Sequence, residues 1–124
     1  MKDPLTFYEE GLREITDVCV DPWFQEQLAA SRAGDSLAWR RISGSCLRRV
    51  LDFAKRKWSP GCVLSVLDLA QEGNVILVQT IERFRGTTAP EFLRELDDQV
   101  EQGLTLLLAR PRSPEDLSSP GEVN

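Results

Sequence analysis

LDLAQEGNVILVQTIERFRG, residues 67–86, has the apolar spacing of a single amphipathic helix. Gly73 and Asn74 lie at its centre, where a helix interior favours residues such as Ala and Leu. Glycine destabilises a helix interior by about 1 kcal/mol relative to alanine, and asparagine by roughly half of that. Either the surface around this pair has a role besides helix stability, or the helix is simply a poor one. The expected buried positions are Val66, Leu69 or Ala70, Leu77, Ile81 and Phe84.

Two aspartates that precede prolines mark the first two helices. Asp can cap a helix and Pro is tolerated at its first position, so Asp3-Pro4 and Asp21-Pro22 each predict a helix N-terminus. The first helix is expected over about residues 5–18 and the second over residues 23–33, ending at Gly34. The apolar positions of the first helix are Phe7, Leu12 and Ile15.

The remaining helix starts are also visible in the sequence. Asp35-Ser36 predicts a third helix over about residues 37–57, interrupted only by Gly44. Two capping-box patterns predict the starts of the fourth and fifth helices. They are Ser65 with Asp68, and Thr88 with Glu91. Because no stretch alternates between apolar and polar residues as a strand would, the predicted fold is an all-α bundle of about five helices.

We expect three parts in the chain. Residues 1–20 form an N-terminal helical extension, and residues 21–110 form the main helical domain. After Arg110 the sequence becomes PRSPEDLSSPGEVN, which is rich in proline and serine. Such a composition is typical of a disordered tail or linker, predicted here over residues 111–124.

Composition excludes several classes of protein. The 124 residues, with 41% hydrophobic and 28% charged, are typical of one soluble globular domain. The longest apolar run is far shorter than the roughly 20 residues of a membrane-spanning helix, and no secretory signal is visible. We therefore expect a cytoplasmic protein with no membrane partner.

The chain also lacks the residues that most enzymes and metal sites use. It contains no histidine, which excludes His-dependent hydrolase triads and most catalytic zinc sites. Its three cysteines, Cys19, Cys46 and Cys62, form no CxxC pair, and we expect them to be reduced and mostly buried. The segment SGSC, residues 43–46, indicates close packing rather than a nucleophile. No enzyme, cofactor or metal site is predicted.

The charges are unevenly distributed along the chain. Residues 40–57 contain seven basic residues against the single acid Asp52, whereas residues 91–101 contain five acids against the single base Arg94. Such asymmetry bears on the choice of partners rather than on the fold.

Three stretches resemble region 2 of the sigma-70 family of bacterial RNA polymerase sigma factors. They are LSVLDLAQEGNVILVQTIERFRG (residues 64–86), LAASRAGDSLAWRRI (residues 28–42) and RFRGTTAPEFL (residues 83–93). The last looks like the loop of the extracytoplasmic-function branch. Together the matching stretches cover about residues 24–108, in the family's order and spacing.

The resemblance implies that the helix after Ser65 binds the coiled-coil clamp helices of the polymerase's largest subunit. The residues implied to face the polymerase are Asp68, Gln71, Glu72, Asn74 and Val78. Gly73 would then let a partner helix approach the backbone closely. The alternative is that this polar stripe is an ordinary solvated helix face. On that alternative the chain is a helical protein–protein interaction module with a sigma-like fold, as part of a signalling protein.

The last predicted helix departs from the family pattern. There the family places basic and aromatic side chains that recognise and open promoter DNA, whereas this chain has an acidic face that repels phosphate. Promoter melting by this helix is not expected. The candidates for direct contact with promoter DNA lie instead on the third helix, with Trp39 and Trp58. They are Arg40, Arg41, Arg48, Arg49, Lys55, Arg56 and Lys57.

Nothing after Arg110 resembles the second DNA-reading domain of full sigma factors. The expected function is therefore a sigma-like domain that binds the polymerase clamp and acts in transcription initiation or its regulation. It would either work with a co-sigma partner or occupy the clamp without opening DNA. A co-sigma or an anti-sigma protein is a further expected partner.

Overall fold

The computed structural model of the chain describes residues 3–109, and these form an all-α bundle. The five helices are α1 (Pro4–Leu12), α2 (Trp23–Arg32), α3 (Ser36–Lys57), α4 (Val66–Arg83) and α5 (Ala89–Ala109). No strand occurs in this part of the chain, so the predicted fold class is confirmed. The tail predicted over residues 111–124 lies outside the described residues.

Side-chain caps start four of the helices as the sequence predicts. The Asp3 carboxylate accepts from the Thr6 backbone N–H at 2.9 Å, and that of Asp35 accepts from the Leu37 N–H at 2.9 Å. The capping boxes of α4 and α5 are both present, with reciprocal bonds that satisfy otherwise unpaired amides. At the other end of α2, Gly34 has φ +105°, a conformation that favours glycine.

The helix predicted after Asp21-Pro22 is present as α2, but the Asp21 carboxylate does not cap it. Both of its oxygens accept from the backbone N–H of Ala89, at 3.1 and 3.2 Å. Ala89 is the first residue of α5. The side chain therefore caps a helix that begins 68 residues later in the chain, and it ties the entry of α2 to the entry of α5.

The first helix is shorter than predicted and exposes a different face. It ends at Leu12, and residues 13–22 are not helical. This segment contains four β-branched residues, which are weak helix formers. Phe7 is 73% exposed and Ile15 lies at the surface, so only Leu12 of the three expected apolar positions is buried. Within residues 13–20, Cys19 alone is buried.

The core is built around α4, which packs between α3 and α5. Three phenylalanines from α2, α5 and the end of α4 close one end of it. Phe24 stacks on Phe92 with ring centroids 5.2 Å apart, and Phe84 meets both rings edge-on. Such aromatic clusters add directional packing to the burial of apolar area. Within residues 3–109, none of the helices is long and apolar enough to cross a membrane.

Gly73 is a packing residue of the core. It is buried, and a Cβ atom added to it would lie 2.5 Å from Cγ1 of Val50 on α3 and 3.9 Å from Cγ1 of Val100 on α5. Only a residue without a side chain lets the three helices approach this closely. The helix therefore contains its poor helix former because of internal packing.

The predictions that Gly44 interrupts the third helix and lies in a closely packed spot are both wrong. A Cβ atom built on it meets nothing within 4 Å, and α3 runs through it without interruption. The close packing expected at residues 43–46 is confined to Cys46, which is buried in the core.

Candidate functional site

The outward face of α4 carries the polar residues of the sequence motif. Gln71 and Glu72 are exposed, and Val75 is 52% exposed one turn further along. Within residues 3–109, neither the Gln71 nor the Glu72 side chain makes a hydrogen bond or an ion pair. This face is therefore available for contact with another molecule.

Asp68 lies at the start of this face, but its side chain also takes part in the capping box of α4. Its Oδ2 accepts from the Ser65 backbone N–H at 2.9 Å, and its own N–H donates to Ser65 Oγ at 3.0 Å. A substitution at Asp68 would therefore weaken the start of α4 as well as change the surface.

Asn74 does not belong to the exposed face. It is half-buried, and its Nδ2 donates to Oη of Tyr8 on α1 at 3.0 Å. Its Oδ1 is buried and has no hydrogen-bond partner within the described residues. Helix α1 thus lies against the flank of α4 from which Asn74 projects. Tyr8 was not predicted as part of the site, because no local pattern reports a contact across 66 residues.

Val78 lies on the same flank, nearer the end of α4. It is half-buried and lines a cleft of about 230 Å³ between α2, α3 and α4, together with Trp39. Arg32 also lines the cleft, and its Nη2 donates to the carbonyl oxygens of Phe84 and Gly86 at 3.1 and 2.9 Å. The structure therefore groups Gln71 and Glu72 with Asp68, and places Asn74 and Val78 at the border of the face.

The expectation that Gly73 admits a partner helix is wrong in this fold. Gly73 faces the interior, against Val50 and Val100, rather than the exposed side of α4. A partner on the outward face would contact side chains and not the backbone of Gly73.

Several basic residues of α3 are engaged by acids from other helices. Arg49 binds Asp97 of α5 through two hydrogen bonds of 2.7 and 2.8 Å, and this contact raises the pKa of the guanidinium. Lys57 pairs with Glu101, also on α5. The acidic face of α5 therefore neutralises part of the basic helix, so part of the charge asymmetry is internal to the fold.

The other basic candidates have varied surroundings. Lys55 pairs with Glu9 of α1, and Arg41 lies 3.9 Å from Asp35. The guanidiniums of Arg40 and Arg56 lie over aromatic rings, those of Trp39 and Phe53. Arg48 lines a cleft beside the segment 13–22. The seven residues thus point toward different neighbours and do not form one continuous stripe.

Within residues 3–109, no group of three His, Cys, Asp or Glu side chains is placed to hold a metal ion. The exposed face of α4 and the partly neutralised basic side of α3 are the two surfaces that carry the residues singled out in the sequence.

Comparison with known proteins points to the RNA polymerase sigma factors. A curated relative from Bacillus sp, RNA polymerase sigma factor SigA, is 32% identical over 111 residues. The match covers 88% of this chain but only 28% of the relative, so the chain spans little more than a quarter of that protein's length. The match is longer than the stretch of residues 24–108 over which the sequence motifs resemble the family. The chain matches no known protein-family profile.

Proposed function

We propose that this chain is a sigma-factor-like domain that binds RNA polymerase through the exposed face of α4 and acts in transcription initiation or its regulation. The observation that carries the proposal is the outward position of Gln71 and Glu72, unpaired within residues 3–109, in a chain similar to a sigma factor. The proposed partner surface is the clamp coiled coil of the largest polymerase subunit.

The chemistry of the face suits a basic helical partner. The Glu72 carboxylate and the Gln71 amide can accept hydrogen bonds from arginines, and charge-assisted bonds of this kind are roughly twice as strong as neutral ones. Val75, one turn after Gln71 and Glu72, offers an exposed apolar side chain to the same partner. Asp68 would add charge while it continues to cap α4, and Val78 would form the apolar edge of the contact. Asn74 would act through its bond to Tyr8, by holding α1 beside the face.

Promoter melting is not part of the proposal. Helix α5 presents acids where the sigma-70 pattern has basic and aromatic residues, and two of those acids already bind α3. Among the basic residues of α3, Arg49, Lys55 and Lys57 would have to give up their present partners to contact promoter DNA. We therefore propose, in place of promoter melting, either a role alongside a co-sigma protein or occupation of the clamp without DNA opening. An anti-sigma protein could use the same face of α4.

The more specific assignment, to the extracytoplasmic-function branch, rests on the sequence of the loop around Phe84-Arg85-Gly86. The curated relative described above is an RNA polymerase sigma factor, SigA, and this description supports only the broader class. In this chain Arg32 binds the loop through the carbonyl oxygens of Phe84 and Gly86. A contact of this kind is not specific to that branch.

The test is binding of the full chain to bacterial core RNA polymerase and to its isolated clamp coiled coil. Glu72→Arg reverses the charge at the centre of the face, and we expect it to weaken binding about fivefold or more, since the loss of an important interface contact costs about 1 kcal/mol or more. Gln71→Ala should weaken binding less. The matched control is Asp98→Arg, the same kind of charge reversal at an exposed position of α5.

Asp68→Ala and Asp97 variants are poor probes, because the first removes a capping box and the second an ion pair. Equal loss of binding in Glu72→Arg and Asp98→Arg would show a general charge effect and contradict the proposed face. Absence of binding in the unaltered chain would leave the sigma-like interaction module, with a partner other than polymerase, as the better description.

A further inference from the structure

A groove of about 820 Å³ lies at the end of the bundle where α3 ends and α4 begins. It is lined by residues 3–5 at the start of α1, by Trp58 and by the whole of segment 62–68. Most of this lining is apolar, and Trp58 and Val63 are 38% and 67% exposed. Grouped apolar surface marks binding sites, whereas singly exposed hydrophobic residues need no explanation.

Helix α5 ends at the same side of the bundle. Lys57, the last residue of α3 and the neighbour of Trp58, donates from Nζ to Thr105 Oγ1 at 3.0 Å. Ala109, the last residue of α5, follows Thr105 by four residues, which is about 6 Å along the helix axis. The chain beyond α5 therefore starts close to the groove.

The chain beyond α5 has a periodic sequence. In RPRSPEDLSSPGEVN, residues 110–124, every third residue from position 111 onward is apolar, and the others are polar, charged or glycine. The apolar residues are Pro111, Pro114, Leu117, Pro120 and Val123. A polyproline II helix has three residues per turn, so in that conformation these five side chains would lie along one side. The conformation needs no internal hydrogen bonds and suits a segment whose composition cannot form a core of its own.

We propose that residues 111–123 adopt a polyproline II conformation and dock their apolar side in this groove of the same chain, with a proline stacked on Trp58. Proline-rich segments bind aromatic-lined grooves of other proteins in the same way. At about 3.1 Å per residue, Pro111 to Leu117 spans about 19 Å, so the segment extends well beyond its attachment at α5. Because it is tethered beside the groove, a contact of modest strength is favoured by a high effective concentration.

The groove borders the exposed face of α4. Asp68 lines the groove and also lies at the start of that face, so the docked segment would lie beside it. The docking itself does not depend on polymerase, and its test is therefore separate from that of the proposed function.

The thiol of Cys62 reports whether the groove is covered. It lines the groove and is half-buried, whereas Cys19 and Cys46 are buried elsewhere in the bundle. The folded full chain is alkylated with iodoacetamide for increasing times and digested with trypsin, and the labelled fraction of peptide 58–83 gives the rate at Cys62. Leu117→Asp places a charge on the apolar side of the segment. We expect it to raise this rate about fivefold or more, because an apolar contact is replaced by a charge that the groove cannot solvate.

Ser118→Asp is the matched control, because it adds the same charge at the next residue, off the apolar side. Its rate should equal that of the unaltered chain. Both positions lie beyond α5, so neither change alters a helix of the bundle. Proton NMR cross-peaks between a proline ring and the Trp58 indole should be present in the unaltered chain and in Ser118→Asp, and absent in Leu117→Asp.

Three results would overturn the proposal. The first is an equal rate at Cys62 in Leu117→Asp and in the unaltered chain. The second is equal acceleration by both variants, which would show a general charge effect. The third is protection of Cys62 that increases with protein concentration, which would assign the segment to the groove of a second copy.

Discussion

Replacing Gly73 by alanine tests whether this glycine is needed for packing inside the bundle. Its new methyl group would lie 2.5 Å from Cγ1 of Val50, closer than real Cβ atoms approach other heavy atoms. Val50 is completely buried and β-branched, so it has one strongly preferred rotamer in a helix and cannot swing aside. Overpacking of this kind costs about 1–3 kcal/mol. The gain in helix propensity offsets about 1 kcal/mol of that cost.

Gly44→Ala is the matched control for this substitution. Both glycines lie within α-helices, but a Cβ at Gly44 meets nothing within 4 Å. Gly44→Ala should therefore raise the free energy of unfolding by about 0.5–1 kcal/mol. Because the propensity gain is common to both variants, the difference between them isolates the packing cost, which we expect to be about 1–3 kcal/mol. Urea unfolding followed by circular dichroism, with linear extrapolation to water, measures both values.

A Gly73→Ala chain as stable as Gly44→Ala would refute the packing explanation and return Gly73 to the list of candidate partner contacts. A double variant provides a second check. Val50→Ala opens space beside Gly73, so the combination of Val50→Ala with Gly73→Ala should cost less than the two single changes together. Simple additivity would mean that the two residues do not press on each other.

Two further predictions concern the start of α5. Asp21→Ala removes the acceptor for the Ala89 N–H and should lower the free energy of unfolding by about 1 kcal/mol. Asp21→Asn keeps an acceptor oxygen and should retain most of that stability. Unchanged stability in Asp21→Ala would contradict the cap. Hydrogen bonds from the backbone N–H groups of Thr87 and Thr88 hold the pKa of Glu91 below its ordinary value of 4.5. Its stabilising effect is therefore complete above that value and is lost as the pH falls through the lower folded-state pKa. Titration of its side-chain carbon by NMR at or above 4.5 would argue against these bonds.

The ends of the helices illustrate what local chemistry can predict. Asp3, Asp35 and Ser65 each satisfy backbone amides within three residues, so their role can be recognised without knowledge of the fold. Asp21 carries the same sequence signature, yet its carboxylate reaches Ala89. A motif reports which bonds a side chain can make, and the fold determines which donor is nearest.

The candidate site divides in the same way. The exposure of Gln71 and Glu72 follows from the helical period and needs no tertiary structure. The bond between Asn74 and Tyr8 joins residues 66 positions apart and could not be predicted from either neighbourhood. The charge imbalance between α3 and α5 was visible in the sequence, but its partial internal neutralisation through Arg49 and Asp97 was not.

The sequence by itself determined the all-α class, the starts of the five helices and the exposure of Gln71 and Glu72, because these depend on interactions within a few residues. The tertiary structure alone decided that Gly73 faces Val50 and that Asp21 caps α5. Each of these contacts joins distant parts of the chain. Their formation depends on how whole helices pack against one another, and no local pattern records the distance between two helices.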